Sequence, residues 1–308
     1  MFVAIVGTRC SGKSTVAQYL ISKGFIPMAI PITFSSSGDL LDHVTRNWRS
    51  DFVTEDLTSP ELITLFARRP FFMLIRVDAP LMQRYRRLSS SLDSFSLEEF
   101  VRQHDEDAFG INVDSGKLER FYGPAGLHAL HSFVKLNVIN TFQTVSDLHD
   151  HLDALNILNA ERLRPRWDSY FMTLADLASQ RSNCMKRRVG AILVRENRIV
   201  ATGYNGTPRG VKNCNEGGCA HCNGTSADSG TDCLCLHAEE NALLEAGRDR
   251  VGPNAILYCN TCPCLKCTIK IIQSGVREVV YHLSYKVDEA SAKLFQEAGV
   301  QIRRHAIW

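Results

Sequence analysis

The chain has 308 residues, of which 44% are hydrophobic and 22% charged, and its formal net charge is +2. This composition excludes an intrinsically disordered chain and a strongly basic nucleic-acid-binding surface, and the length favours two domains. No apolar stretch approaches the roughly 18 residues of a membrane span, and no secretory signal is visible at the N-terminus. We therefore expect no membrane or nucleic-acid partner, and a cytoplasmic location with the nucleus as a second one.

The first half of the chain alternates strand-like and helical patterns. Its predicted strands are residues 2–6, 71–77 and 134–139, and its predicted helices are residues 14–23, 81–88 and 145–155. This alternation predicts a parallel α/β sheet. A charged segment that contains Pro165 indicates a linker at residues 156–166, so we place one domain at residues 1–158 and a second at 165–308.

Residues 7–14, Gly-Thr-Arg-Cys-Ser-Gly-Lys-Ser, fit the phosphate-binding pattern G-x-x-x-x-G-K-[ST]. They follow a predicted strand and precede a predicted helix, where backbone N–H groups would bind phosphate. Gly7 and Gly12 would shape this loop. Lys13 would reach the terminal phosphates of a nucleotide, and Ser14 would hold Mg²⁺. An active kinase, a regulatory nucleotide-binding module and a degenerate scaffold remain alternatives, and we favour one of the last two.

The second half of the chain opens with a predicted helix at residues 168–181. Strands at 189–194 and 199–204 follow, and the Glu-Asn pair between them suits a tight hairpin turn. A stretch rich in cysteine and glycine continues to residue 232. Beyond it, predicted helices at 237–246, 263–274 and 288–298 alternate with predicted strands at 255–259, 276–281 and 301–303.

Eleven cysteines are unusually many, and nine of them lie between Cys214 and Cys267. In a chain without a visible secretion signal, clustered cysteines favour metal binding over disulfides. The pattern His-Ala-Glu at 237–239, followed by Pro-Cys-Leu-Lys-Cys at 263–267, is typical of zinc-dependent deaminases. One imidazole and two thiolates leave the fourth zinc position open for water. We therefore expect His237, Cys264 and Cys267 to bind Zn²⁺.

The same pattern predicts a catalytic role for Glu239. A water activated by the zinc would attack C4 of a cytosine-type ring. Glu239 would take a proton from this water, transfer it to ring N3 and assist the departure of ammonia. A purely structural zinc site, a P-loop kinase with a structural zinc and a polynucleotide cytosine editor are the alternatives. An editor needs a basic groove with stacking aromatic residues, which this nearly neutral chain does not indicate.

Five segments resemble those of deoxycytidylate (dCMP) deaminases. They are residues 167–172, 188–191, 203–208, 236–242 and 263–267. The whole chain looks like the long fungal form, with a P-loop nucleotide-kinase-like domain before a cytidine-deaminase-like three-layer α/β/α domain. The resemblance implies hydrolysis of dCMP to dUMP and ammonia, which supplies dUMP for thymidylate synthesis. It also implies a homo-oligomer, typically a hexamer, with dCTP as activator and dTTP as inhibitor.

The resemblance further implies two nucleotide contacts. Asn205 would contact the sugar or the phosphate, and an ordinary turn is the alternative explanation for this residue. Tyr285 would lie near the pyrimidine, with core packing as its alternative.

A second zinc is also implied, because some dCMP deaminases hold a structural zinc with ligands in the places of Cys184, Cys214 and Cys235. A thiolate site of this kind stabilises a loop that has no core of its own. We hypothesise such a site here, with Cys219 or Cys222 as its fourth ligand. Free thiols are the alternative.

Overall fold

The computed structural model describes residues 1–30, 33–89, 96–110, 126–224, 232–284 and 289–306. The chain divides into two compact units, Met1–Arg164 and Pro165–Trp308. Each unit has its own sheet and its own buried core, and both are α/β folds. Within the described residues, no helix combines the length and the apolar character that crossing a membrane requires.

The N-terminal unit is built on a parallel sheet, as predicted. Its strands are β1 (Phe2–Val6), β2 (Ile26–Pro27), β3 (Phe52–Thr54), β4 (Phe72–Asp78) and β5 (Val134–Ile139). They lie in the order β2-β3-β1-β4-β5, and every neighbouring pair is parallel. All five residues of β1 are buried, because a central strand of a parallel sheet is covered on both faces.

Helices surround this sheet in the sequence order that the alternation predicts. The α-helices are α1 (Lys13–Ser22), α2 (Ser37–Arg46), α3 (Pro60–Ala67), α4 (Leu81–Ser89), α5 (Leu97–Phe109) and α6 (Val145–Ala154). Sequence reasoning missed α2, α3 and α5. Each of them begins after a serine, Ser36, Ser59 or Ser96, whose hydroxyl accepts a hydrogen bond from the backbone N–H three residues later. This N-cap signal could have located them.

The C-terminal unit contains a mixed sheet. Its strands are β6 (Gly190–Arg195), β7 (Arg198–Tyr204), β8 (Ile256–Thr261), β9 (Glu278–Leu283) and β10 (Gln301–Arg304). They lie in the order β7-β6-β8-β9-β10, with β6 antiparallel to both neighbours and the other pairs parallel. Glu196 and Asn197 join β6 to β7 with positive φ angles of 51° and 58°, as a two-residue hairpin turn requires.

Helices cover both faces of this second sheet. They are α7 (Trp167–Ser179), α8 (Ala220–Asn223), α9 (Ala238–Val251), α10 (Leu265–Ser274) and α11 (Glu289–Glu297). Phe171 and Met172 of α7 pack in one buried cluster, while Ala242 of α9, Ile271 of α10 and Phe295 of α11 pack in another. The predicted three-layer α/β/α arrangement is therefore confirmed for this unit.

Asp168, in the first turn of α7, connects this helix to the sheet. Its carboxylate accepts hydrogen bonds from Arg303 at 2.9 and 2.8 Å and from the Tyr258 hydroxyl at 2.8 Å. Arg303 also donates to the Glu278 carboxylate at 2.6 Å. Burial alone would raise the pKa of Asp168, but the hydrogen bonds from Arg303 and Tyr258 outweigh it and keep this pKa below its usual value. The ionised form of Asp168 therefore stabilises the fold.

Asp168→Asn is expected to lower the free energy of unfolding of the C-terminal unit by about 1 kcal/mol at pH 7, since the carboxylate is partly exposed. Because the folded pKa is lowered, this stabilisation is complete above the unfolded value near 4 and disappears as pH falls through the folded value. Urea unfolding of both proteins at pH 7 and pH 3 measures the effect. Asp249→Asn, at an exposed position, is the control. If the parent and Asp168→Asn differed more in unfolding free energy at pH 3 than at pH 7, the ionised Asp168 carboxylate would not be the stabilising form.

Candidate active site

The three residues predicted as metal ligands converge where α9 and α10 begin. His237 is the N-cap residue of α9, Cys264 is the N-cap residue of α10, and Cys267 lies in the first turn of α10. His237 Nδ1 lies 3.4 Å from Cys264 Sγ and 3.3 Å from Cys267 Sγ. All three ligand atoms are within 4.8 Å of one another, and both cysteines are free thiols. This donor set fits a tetrahedral zinc that keeps its fourth position open.

The electrostatics of these three groups favour a cation. The hydrogen bond from the Cys267 thiol lowers the pKa of Cys264 to about 3, and the same bond raises the pKa of Cys267. The hydrogen bond with Cys264 raises the pKa of His237. Hydrogen bonds therefore link the three donor atoms to one another. A metal ion that binds the two sulfurs as thiolates displaces the protons of these hydrogen bonds.

Glu239 lies in the first turn of α9 and is 3% exposed. Burial disfavours its ionised form and raises its pKa. It lines a cavity of about 310 Å³ together with His237 and Cys264. A buried carboxyl group beside metal ligands, with access to a cavity, is placed to accept and release protons.

Gly203 of β7 lets the first turn of α9 lie close against the sheet. A Cβ atom at this position would lie 2.1 Å from the carbonyl oxygen of Ala238 and 2.5 Å from the backbone nitrogen of Ala242. Both distances are far shorter than ordinary van der Waals contact. Gly203 therefore determines how close His237 and Glu239 come to the strands, a role that its place in a family segment did not reveal.

Asn205 also lines the cavity, and its side-chain amide bonds to neighbouring backbone. Its Oδ1 accepts a hydrogen bond from the Val189 N–H at 2.8 Å, and its Nδ2 donates to the Arg187 carbonyl at 2.9 Å. These bonds hold the segment that brings Lys186 and Arg187 to the cavity, two cationic residues that sequence reasoning missed. A contact between Asn205 and nucleotide stays a prediction, and Tyr285 lies outside the described residues.

Comparison with known proteins agrees with this geometry. Residues 165–283 match the family described as the cytidine and deoxycytidylate deaminase zinc-binding region. The deoxycytidylate deaminase of Schizosaccharomyces pombe is 47% identical over 98% of this chain and 97% of its own. That of Saccharomyces cerevisiae is 42% identical over 99% of this chain and 96% of its own. The chain belongs to the deoxycytidylate deaminase family.

This membership confirms the resemblance predicted from the five segments. The matched zinc-binding region includes His237, Glu239, Cys264 and Cys267, so the family and the local geometry agree on zinc. A solved structure of the dCMP deaminase of cyanophage S-TIM5, in complex with dCMP and dUMP, is also similar. It is 33% identical, covers 46% of this chain and 98% of its own, and has a TM-score of 0.39. Both fungal deoxycytidylate deaminases extend over the N-terminal unit as well.

In the N-terminal unit of this family member, residues 7–12 connect β1 to α1, and Lys13 and Ser14 begin α1. A Cβ on Gly7 would lie 2.2 Å from the Val77 carbonyl oxygen, so the loop can pass β4 only with glycine there. Gly12 has a φ of 98°, a conformation that favours glycine. Lys13 is the first residue of α1, which has no side-chain cap at its N-terminus.

Polar groups surround this loop. The Ser14 hydroxyl donates to the Glu55 carboxylate at 2.8 Å, and Glu55 directly follows β3. Sequence reasoning missed Glu55 because the strand before it has three residues. Thr8 and Ser11 are buried, and among the described atoms neither hydroxyl has a hydrogen-bond partner. Buried hydroxyl groups whose hydrogen-bonding capacity is unused can donate to an anion held by the loop.

Proposed function

We propose that this protein is a zinc-dependent hydrolase that converts dCMP to dUMP and ammonia, and so supplies dUMP for thymidylate synthesis. The observation that carries the proposal is that one imidazole and two thiols lie within 4.8 Å of one another, beside the cavity that the buried carboxyl group of Glu239 lines. Identity of 47% with a deoxycytidylate deaminase, over nearly the whole chain, supports the choice of substrate.

His237, Cys264 and Cys267 would hold the zinc at the end of the cavity where α9 and α10 begin. When bound there, zinc lowers the pKa of a ligated water and so supplies a nucleophile near neutral pH. The N-termini of both helices point toward the site and favour thiolate ligands.

Glu239 moves the protons of the reaction. Its carboxylate accepts the proton that the attacking water loses and delivers it to N3 of the ring, which makes C4 more electrophilic. The C4–oxygen bond forms, and Glu239 passes a proton from the added hydroxyl group to the amino group. The C4–nitrogen bond then breaks, and ammonia leaves. A carboxyl group whose pKa is raised by burial is suited to both accepting and donating.

Lys186 and Arg187 would recognise the 5′-phosphate, since both line the cavity that contains Glu239. Charge-assisted hydrogen bonds of this kind are worth about 1.5–3 kcal/mol. We therefore expect deoxycytidine to react with a kcat/KM about 10 to 100 times lower than that of dCMP.

Ammonia release from dCMP, CMP, deoxycytidine and a cytosine-containing oligonucleotide tests the function. The proposal expects dCMP to be the best of the four substrates. Zinc-loaded protein that did not turn over dCMP, or that preferred the oligonucleotide, would refute it and favour the polynucleotide editor.

We further infer that the N-terminal unit is a P-loop, nucleotide-kinase-like module that binds nucleotide and serves regulation. Its support is the glycine-dependent loop at residues 7–14, the uncapped N-terminus of α1 and the two buried hydroxyls of Thr8 and Ser11. The Ser14 hydroxyl and the Glu55 carboxylate adjoin each other and offer oxygen ligands for Mg²⁺.

Lys13→Ala is expected to weaken binding of MgATP about 10- to 100-fold, because it removes a cation from the phosphate site. Isothermal titration calorimetry measures the affinity. Lys23→Ala, at the other end of α1, is the matched control and should bind as the parent does. Parent protein that bound no nucleotide would contradict the module, whereas γ-phosphate transfer lost in Lys13→Ala would make it a kinase.

Family membership also leads us to propose a homo-oligomer, typically a hexamer, that dCTP activates and dTTP inhibits. Sedimentation velocity gives the subunit number, and initial rates with each triphosphate give the response. The proposal would be contradicted if the protein were a monomer and neither nucleotide changed its rate.

We propose a cytoplasmic location, or a nuclear one, since all eleven cysteines are free thiols. Fluorescence imaging of a tagged protein tests this, and a secreted protein would overturn it.

A further inference from the structure

Six cysteines other than the predicted ligands of the catalytic zinc converge in the C-terminal unit. They are Cys184, Cys214, Cys219, Cys222, Cys233 and Cys235, and all are free thiols. The sulfurs fall into two groups of four. One group contains Cys184 and Cys214, and the other contains Cys219 and Cys233. Cys222 and Cys235 belong to both groups, and within each group all sulfurs lie within 4.8 Å of one another.

The distances between these sulfurs are too long for disulfides and suit thiolates around a metal. Cys222 Sγ lies 3.8 Å from that of Cys184, 3.5 Å from that of Cys233 and 3.9 Å from that of Cys235. The sulfurs of Cys219 and Cys233 are 4.0 Å apart. A disulfide needs about 2.05 Å. Tetrahedral zinc with zinc–sulfur bonds of about 2.3 Å places its ligands about 3.8 Å apart.

The segment that carries most of these cysteines contains little regular secondary structure that could stabilise it. Between β7 and α9, the described residues contain one short 3-10 helix, Cys214–Glu216, and the four-residue helix α8. The buried apolar cluster of this segment consists of cysteines alone. Backbone N–H groups donate to two of the sulfurs, from Met185 to Cys214 and from Leu234 to Cys219, both at 3.4 Å. Such bonds stabilise thiolates in metal sites.

We propose that these six cysteines bind two zinc ions in one cluster, in which Cys222 and Cys235 each bridge both ions. Cys184 and Cys214 complete the coordination of the first ion. Cys219 and Cys233 complete that of the second. Sharing two thiolates gives each ion four sulfur ligands, as structural zinc requires. Six thiols release six protons on binding two Zn²⁺, so the cluster carries two negative charges.

This cluster differs from the single structural zinc expected from the sequence. Cys222, and not Cys219, joins Cys184, Cys214 and Cys235 around the first ion. Cys219 belongs to the second ion, which sequence reasoning did not foresee. Cys184, Cys222, Cys233 and Cys235 also line the cavity that contains Glu239, so the cluster would form part of its wall.

Zinc content of the purified protein, measured by plasma mass spectrometry after dialysis without chelators, tests the cluster. Three zinc ions per chain are expected, two in the cluster and one at His237, Cys264 and Cys267. Cys233→Ala should hold two, and Cys222→Ala should hold one because it removes a ligand from both ions. Cys10→Ser, in the other unit, is the control and should keep three.

Two or fewer zinc ions in the parent, three in Cys233→Ala, or loss of a single ion in Cys222→Ala would overturn the proposal. A second measurement needs no variant. In protein reconstituted with ¹¹³Cd²⁺, two resonances of tetrathiolate-bound cadmium should be coupled to each other through the bridging sulfurs. Two uncoupled resonances, or a single one, would show that no thiolate is shared.

Discussion

Glu239→Gln is expected to lower kcat for dCMP by about 10²–10⁴-fold while leaving the zinc bound. The amide has nearly the size and shape of the carboxyl group, but it cannot carry a proton from water to the ring. Glu239 is buried and burial raises its pKa, so its carboxyl group is suited to both accepting and donating that proton. Ammonia release at saturating dCMP measures the rate, and zinc content shows that the ligands are intact.

Glu240→Gln is the matched control for this experiment. Glu240 follows Glu239 in the same turn of α9, and its carboxylate forms an ion pair with Lys270. An exposed or partly exposed pair of this kind contributes about 1 kcal/mol or less to stability. We expect Glu240→Gln to keep a rate near that of the parent, because a loss of stability this small leaves the protein folded. Full activity in Glu239→Gln, with Glu240→Gln unchanged, would refute the proton-transfer role.

Gly203→Ala is expected to reduce both stability and activity. The added methyl group would lie 2.1 and 2.5 Å from backbone atoms of Ala238 and Ala242, so α9 must move away from β7. Overpacking of this kind costs about 3 kcal/mol of unfolding free energy. The same movement displaces His237 and Glu239, and a shift near 1 Å at reacting groups costs about 10²-fold in rate. Urea unfolding and kcat/KM measure the two effects.

Thr202→Ala separates this effect from a general weakening of β7. Thr202 neighbours Gly203 in the strand, but its side chain is exposed to solvent on the other face of the sheet. We expect its unfolding free energy to change by less than about 0.5 kcal/mol and its kcat/KM to stay near the parent value. If Gly203→Ala unfolded and reacted as Thr202→Ala does, close approach of α9 would not be what positions the site.

The zinc ligands and the general acid–base group could be predicted from the sequence because their geometry is largely local. Cys264 and Cys267 are the N-cap residue and a first-turn residue of the same helix, so their spacing along the chain almost determines their spacing in space. His237 and Glu239 stand in the same relation to α9. The strands β1 and β5 could be predicted for a similar reason, since β1 is an apolar run of five residues and β5 alternates apolar and polar residues from Val134 to Val138.

The short strands β2 and β3 could not be predicted, because two or three residues do not show a period. Partners distant in sequence also remained hidden. The Asp168 carboxylate bonds to Arg303, 135 residues away, and nothing in either segment indicates the pair. The only sequence feature that could have indicated Lys186 and Arg187 is that they lie in a run of basic residues. Such a run is equally typical of an ordinary solvent-exposed loop.

The surplus cysteines show where sequence reasoning ends for this protein. Their number and clustering indicate metal, because thiols that crowd together in one stretch of a chain can share a metal ion. Which sulfurs meet depends on the path of a loop with little regular structure, and spacing in the chain does not specify that path. Only the tertiary structure brings Cys222 and Cys235 within reach of both groups of sulfurs. Chemistry carried by a single helical turn is a local property, whereas the sharing of ligands depends on how distant segments pack together.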